Sequence, residues 1–235
     1  MKHFRTWTQL TNALSELPSS KYIFRGMGSS QWTPQCSYER LLGLHNLPKP
    51  TCGKMALEFA ELATSLNLEL DEDNAMLVGQ HWGMPTRVID FSRSPYVAAY
   101  FAARSWLDGF IQNPGASRRP RPVIWILETA DDEFTKQKGD PTVPLVEVIE
   151  SHLPDERMIA QDGLFVVHHA ELDLVSALAR MGFSDRLTAY TLAGNEIFRA
   201  LSELDRMAIN DRTMFPGLDG VVKHLTARAI LSAHE

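Results

Sequence analysis

GQHWGMPTRVIDFSRSPYVAAYFAARSW, residues 79–106, sets Gln80, His81, Thr86, Arg87, Asp90, Ser92 and Ser94 among residues that belong in a core. The stretch reads as helix end, turn, strand, turn, helix. Gly83 and Pro85 break the first helix, whose predicted span is 73–82, and TRVIDF (86–91) has the composition of a strand. Ser94-Pro95 supplies a cap and a first-turn proline for a helix through Tyr96, Ala99, Tyr100 and Ala103. Polar groups thus gather at the ends of elements while apolar groups fill their middles, the layout of a site carried on a core. The residues alone leave a plainer account open, in which Asp90 pairs with Arg87, Ser94 only caps and His81 is a satisfied core histidine.

Working outward, TWTQLTNALSEL (6–17) spaces Trp7, Leu10, Ala13, Leu14 and Leu17 as one helical face. KYIFRG (21–26) reads as a short strand with Arg25 at its end beside the permissive Gly26. Residues 54–69 predict a helix with Met55, Phe59, Leu62, Ala63 and Leu66 inward and Glu58 and Glu61 in water. PVIWILE (122–128), PLVEVI (144–149) and LFVVHH (164–169) read as strands, and AELDLVSALARMG (170–182) as an amphipathic helix ended by glycine. RLTAYTL (186–192), a helix over about 194–206 and LDGVVKHLTARAIL (218–231) close the chain; Val221, Val222, Leu225, Ala229 and Ile230 of the last give it a face for the domain or for a partner. With no repeat and no linker, the expectation is one α+β domain over 1–235, an N-terminal helix (1–20) on a 21–230 core with a mixed or antiparallel sheet and flanking helices.

The 235 residues, 44% of them hydrophobic, suffice for a core, and the net charge of −6 argues against a nucleic-acid surface. GASRRPRP (115–122) is basic but too short for a groove. Cys36 and Cys52 fit neither a CxxC pair nor a disulfide framework, which favours a reducing cytoplasm; no signal peptide or membrane span is legible. GxxxxGK, GxSxG and HExxH motifs are absent, and His168-His169, adjacent in a strand, point to opposite faces, so no metal is expected. Scattered tryptophans, Trp32 and Trp82 included, read by default as core, with stacking on a base as the alternative for those two.

Phe24-Arg25-Gly26, then Trp32, the Gln80–Phe91 run, Ser94-Pro95 and Ala98–Ala102 together resemble the FRG domain family, named for its (F/Y)RG motif. RMIAQDGLF (157–165) and MFPGLDGVVKHL (214–225) resemble its later segments. The family, frequent in bacterial and phage proteins, implies a scaffold more readily than a reaction.

A second resemblance, to ADP-ribosyltransferases of the Arg-Ser-Glu type, implies one. Those enzymes place an Arg at the end of the first strand, a Ser-Thr-Ser-like turn before a helix and a Glu on a later strand; Arg25, Ser92-Arg93-Ser94 and Glu156 follow that order, without the central Thr and without a paired acid. The resemblance implies an ADP-ribosyltransferase-like arrangement with NAD as substrate. Arg25 would hold the pyrophosphate, Ser92 would orient the nicotinamide ribose and Glu156 would stabilise the oxocarbenium-like transition state, with His81 as a candidate base. Gly26, Gln80, Thr86, Arg87, Asp90, Ser94 and Gln161 would line the nucleotide cleft, Gln161 or Asp90 being the alternatives for the third catalytic role. The implied partner is a macromolecular acceptor, as for a toxin or defence effector. The competing expectation is a non-catalytic module that binds a nucleotide or peptide as a sensor or adaptor; a nuclease lacks the clustered carboxylates.

Overall fold

The computed structural model describes residues 1–45, 51–116, 119–129, 146–150, 156–168 and 173–233, with the backbone alone at 42, 43, 51, 52, 72, 73 and 168. Among these, seven strands form one sheet: β1 (Lys2–Phe4), β2 (Tyr22–Met27), β3 (Val88–Ser92), β4 (Val123–Glu128), β5 (Val146–Ile149), β6 (Gly163–His168) and β7 (Leu187–Leu192), ordered β1-β7-β4-β2-β3-β6-β5. Every neighbouring pair is antiparallel except β1–β7, so the sheet is mixed and the fold α+β. The predicted metal-free pair is only half in view: His169 lies outside the described residues, as do the starts of the predicted 144–149 strand and 170–182 helix.

Strand pleating sends alternate residues to opposite faces. On one face Phe24, Ile124, Ile126, Tyr190 and Leu192 pack under α1 (Trp7–Ser15) and, further along the chain, α5 (Pro95–Gln112) and α8 (Ile197–Arg206). On the other, Ile23, Ile89, Phe91, Leu127, Leu164 and Val166 pack with Cys36, Tyr38 and the leucines of α7 (Leu174–Arg180). VIWIL of β4 is buried residue after residue because helices cover both faces there. Burying Phe24 completely contributes about 1.5–3 kcal/mol.

Helix ends follow their predicted chemistry. Ser94 Oγ accepts from the Val97 amide at 3.3 Å, with Pro95 as first helical residue. α4 (Glu72–His81) is capped by Asp71 and stops before Gly83, whose φ of +89° lets the Met84 amide turn back to the Gly79 carbonyl at 2.8 Å.

Other expectations are corrected. Residues 2–4 are not a prelude to an N-terminal helix but pair with β7, and a helix not predicted at all, α2 (Ser37–His45), covers the sheet. α3 (Thr51–Ala63) begins earlier than predicted and passes into a 3-10 turn at Thr64–Leu66; Leu62 and Leu66, expected inward, are exposed because the hairpin with α4 buries only Ala56 and Ala63. The remaining helices are α6 (Glu156–Ala160), α9 (Asp211–Met214) and α10 (Leu218–Ser232). α10 docks through Gly220, His224 and Ala227, leaving the predicted docking residues Val221, Val222 and Leu225 in solvent. Among the described residues no helix is long and apolar enough to cross a membrane.

α5 lies on β2 so closely that a β-carbon on Gly26 would stand 1.8 Å from the Ala98 carbonyl oxygen and 2.5 Å from the Ala102 nitrogen. The helix presents its alanines to that contact. A buried polar knot then fixes its far side: Tyr100 Oη and Arg104 Nε each donate to Asp211 Oδ1 at 2.8 Å, and Arg104 also bonds Asp108.

Candidate functional site

β2 and β3 pair at one position, Phe24 with Ser92, and then part. Arg25 enters the parting. It is not the last residue of its strand, as the sequence suggested, but the fourth of six, opposite Trp125 of β4. Its Nη1 donates to the Asp90 carbonyl oxygen at 2.6 Å and lies 3.6 Å from Asp90 Oδ2. The side chain thus replaces the ladder bond that the diverging backbone of β2 no longer provides.

From Asp90 a relay runs outward through polar groups. Gln80 Nε2 donates to Asp90 Oδ1 at 2.5 Å, Thr86 Oγ1 donates to Gln80 Oε1, the Thr86 amide donates to Ser37 Oγ at 2.9 Å, and the Tyr38 amide donates to the Thr86 carbonyl at 3.1 Å. One chain of hydrogen bonds therefore joins β2, β3, the end of α4 and the start of α2. It brings together four predicted residues, Arg25, Gln80, Thr86 and Asp90. Asp90 does not pair with Arg87, whose guanidinium instead lies over the Tyr38 ring at 5.4 Å.

Arg25 carries the charge of this chain opposite Asp90. Burial pulls the Arg25 guanidinium down from its usual value; Asp90 opposes that pull and the neighbouring charge of Arg40 adds to it. Arg25 thus sits between an acid that offsets its charge, Asp90, and a second arginine that opposes it, Arg40. Arg25 Nε and, across the ladder, Trp125 Nε1 are buried donors with no acceptor among the described residues. An orphan of that kind costs about 1–3 kcal/mol.

The remaining predicted residues separate into three kinds. Ser92 is buried and its hydroxyl is engaged, donating to the Gln161 carbonyl at 2.7 Å and accepting from the Ser94 amide at 3.0 Å. Gln161 Nε2 in turn donates to the Met214 carbonyl at 2.8 Å, Ser94 is the cap of α5, and Gly26 serves the approach of that helix rather than an approach of ligand. Glu156 stands on no strand: it is exposed and opens the short α6, which leads into β6, the neighbour of β3. His81 is not in the core either, but exposed, edge-on to Trp82 with ring centroids 5.5 Å apart.

Trp82 is 79% and Trp32 52% exposed, so the default reading of both as core is overturned. Trp82 ends α4 two residues after Gln80, and a flat apolar ring held in solvent is suited to stacking on a planar ligand.

Two residues of the neighbourhood escaped the sequence. Glu39 of α2 is only 8% exposed, and burial, with Asp173 adding, pushes its carboxyl up from 4.5 to about 7 against the opposing hydrogen bonds of Cys36 and the charge of Arg87. Trp125 was read with the other scattered tryptophans as core or pocket wall. No motif marks either, since each owes its environment to pairing between distant segments.

The family model for the FRG domain matches residues 20–108. The matched span takes in β2, α2, α3, α4, β3 and most of α5, hence the Gly26–α5 contact and the whole Arg25–Asp90–Gln80–Thr86 chain; the stretches 157–165 and 214–225 lie beyond it. No curated protein and no solved structure matches the chain.

Proposed function

From the match of residues 20–108 to the FRG domain model, we propose that the parting of β2 and β3 binds the pyrophosphate of NAD and that the protein transfers ADP-ribose to a macromolecular acceptor. The observation that carries the proposal is Arg25: a partly buried guanidinium held at one corner by Asp90, with its buried Nε without an acceptor among the described residues and Arg40 as a like-charged neighbour. Such a cation offers a fork to a phosphate, and the attraction is strong where water is scarce. Trp82 and Trp32 stand exposed for the planar rings of the dinucleotide.

In this arrangement, the ADP-ribosyltransferase-like one, the glycosidic bond from the ribose C1′ to nicotinamide breaks and nicotinamide leaves as the neutral base with the bonding pair. The acceptor nucleophile forms the new bond to C1′ and gives up its proton to a base or to water. Glu156, free in solvent before β6, is the carboxylate assigned to the developing positive charge on the ribose.

A second reading, a non-catalytic nucleotide-binding module, is favoured by one observation: the Ser92 hydroxyl and the Gln161 side chain already serve internal hydrogen bonds. Calorimetric titration with NAD decides first between binding and none, and Arg25→Ala should remove the binding with the fold intact; unchanged affinity ends the pyrophosphate role. Glu156→Gln then separates the two readings. A transferase loses turnover far more than affinity, whereas a binding module has no turnover to lose and keeps its affinity.

A further inference from the structure

Arg25 and Trp125 face each other directly across the β2–β4 ladder. Directly opposed residues of an antiparallel pair project from the same side of the sheet with β-carbons about 4.5–5.5 Å apart. Both carry a buried N–H without an acceptor among the described residues, Nε of the arginine and Nε1 of the indole. A sheet interior accommodates one such orphan with difficulty; here two stand at one rung of one ladder.

The surroundings narrow what the pattern is for. Trp125 packs with Val123, Ala189, Met27, Val175 and Leu187, an apolar wall. Arg25 spends Nη1 on Asp90, which leaves the Nε edge of the fork, and Arg40 adds positive potential. The missing partner is therefore an oxygen acceptor bearing negative charge.

We infer that Arg25 and Trp125 together form an oxyanion subsite in which Arg25 Nε and Trp125 Nε1 donate to oxygens of one phosphate group. The inference rests on the proposal that the β2–β3 parting binds the phosphates of a dinucleotide, and it adds a neutral second donor that selects for geometry as well as charge. A tryptophan N–H donates and never accepts, so the subsite admits an ionised oxygen and rejects an ammonium or amide N–H in the same place.

The test uses the full chain with inorganic pyrophosphate and NAD as probes. The indole N–H resonance of Trp125, identified by its loss in Trp125→Phe, should move on addition of pyrophosphate. Trp125→Phe, which keeps an aromatic ring and removes the donor, should weaken both probes about tenfold, the value of one charge-assisted hydrogen bond. Should that variant fail to fold, the same resonance assigned through the backbone of the wild-type protein gives the answer. An unmoved resonance, with binding still abolished by Arg25→Ala, overturns the role of Trp125 and leaves the dinucleotide proposal standing. Pyrophosphate binding that shifts the indole without any NAD binding supports the subsite and removes the dinucleotide. Binding of neither probe overturns both.

Discussion

Arg25 Nη1 lies 2.6 Å from the carbonyl oxygen of Asp90, at the point where the β2–β3 ladder ceases. The bond gives this arginine two duties, holding two strands at a fixed parting and presenting the rest of its fork. Arg25→Lys separates them. An ammonium keeps the charge but has no planar fork, so NAD affinity should fall at least about tenfold while the thermal midpoint moves little. Equal affinity in calorimetry would show that charge alone is used.

Gly26→Ala places a β-carbon against the α5 backbone, where neither the Ala98 carbonyl nor the Ala102 amide has a side-chain rotation with which to yield. The expected loss is about 3 kcal/mol or more, at the upper end for overpacking, measured by urea denaturation of the variant beside the wild-type protein. A loss under about 1 kcal/mol would mean that α5 slides freely along the sheet.

Glu39 makes stability depend on pH. Its carboxyl is raised by burial from 4.5 to about 7, so between those values the folded chain holds a proton that the unfolded chain has released. Stability from this group is fully present below about pH 4.5, declines as pH rises, and is lost above about 7, a change of about 3 kcal/mol at most. Glu39→Gln should flatten that segment of the stability–pH curve and leave the protein more stable than wild type at pH 8. A slope retained in the variant assigns the titration elsewhere.

Asp211 accepts from both Tyr100 and Arg104 inside the interface between α5 and α9. Its carboxylate also pushes the Tyr100 hydroxyl up, in the same direction as the larger effect of burial. Asp211→Ala strands a buried hydroxyl and removes one of two acids from a largely buried guanidinium, with an expected cost of about 3–5 kcal/mol. Thermal unfolding within a degree or two of wild type would show that Asp108 alone satisfies Arg104.

Much of this architecture was legible because it is local. The Ser94-Pro95 start of α5, the turn at Gly83 and the buried run of β4 depend on neighbours within a few residues. The polar relay was half legible: the sequence grouped Gln80, Thr86 and Asp90 as one constellation and named Arg25 beside it, but offered only Arg87 as an ion-pair partner for Asp90. Sequence proximity favoured that pairing, and only the parting of two strands 65 residues apart supplies the correct one. Ser92 shows a related effect. A hydroxyl at a turn looks available until the chain that returns as β6 brings a carbonyl to it. Glu156 sits before that strand on a five-residue helix, too short to impose a period. Trp32 and Trp82 have the composition of a core and the location of a surface, a distinction that hydrophobicity does not encode.

The pairing of Lys2–Phe4 with Tyr190–Leu192 has a consequence for the order of events during synthesis. β1 has no place to dock until β7 has been translated, so this edge of the sheet closes late. Once made, β7 presents a bare edge until Lys2–Phe4 returns to it, and a bulky group attached close to residue 2 would prolong that interval.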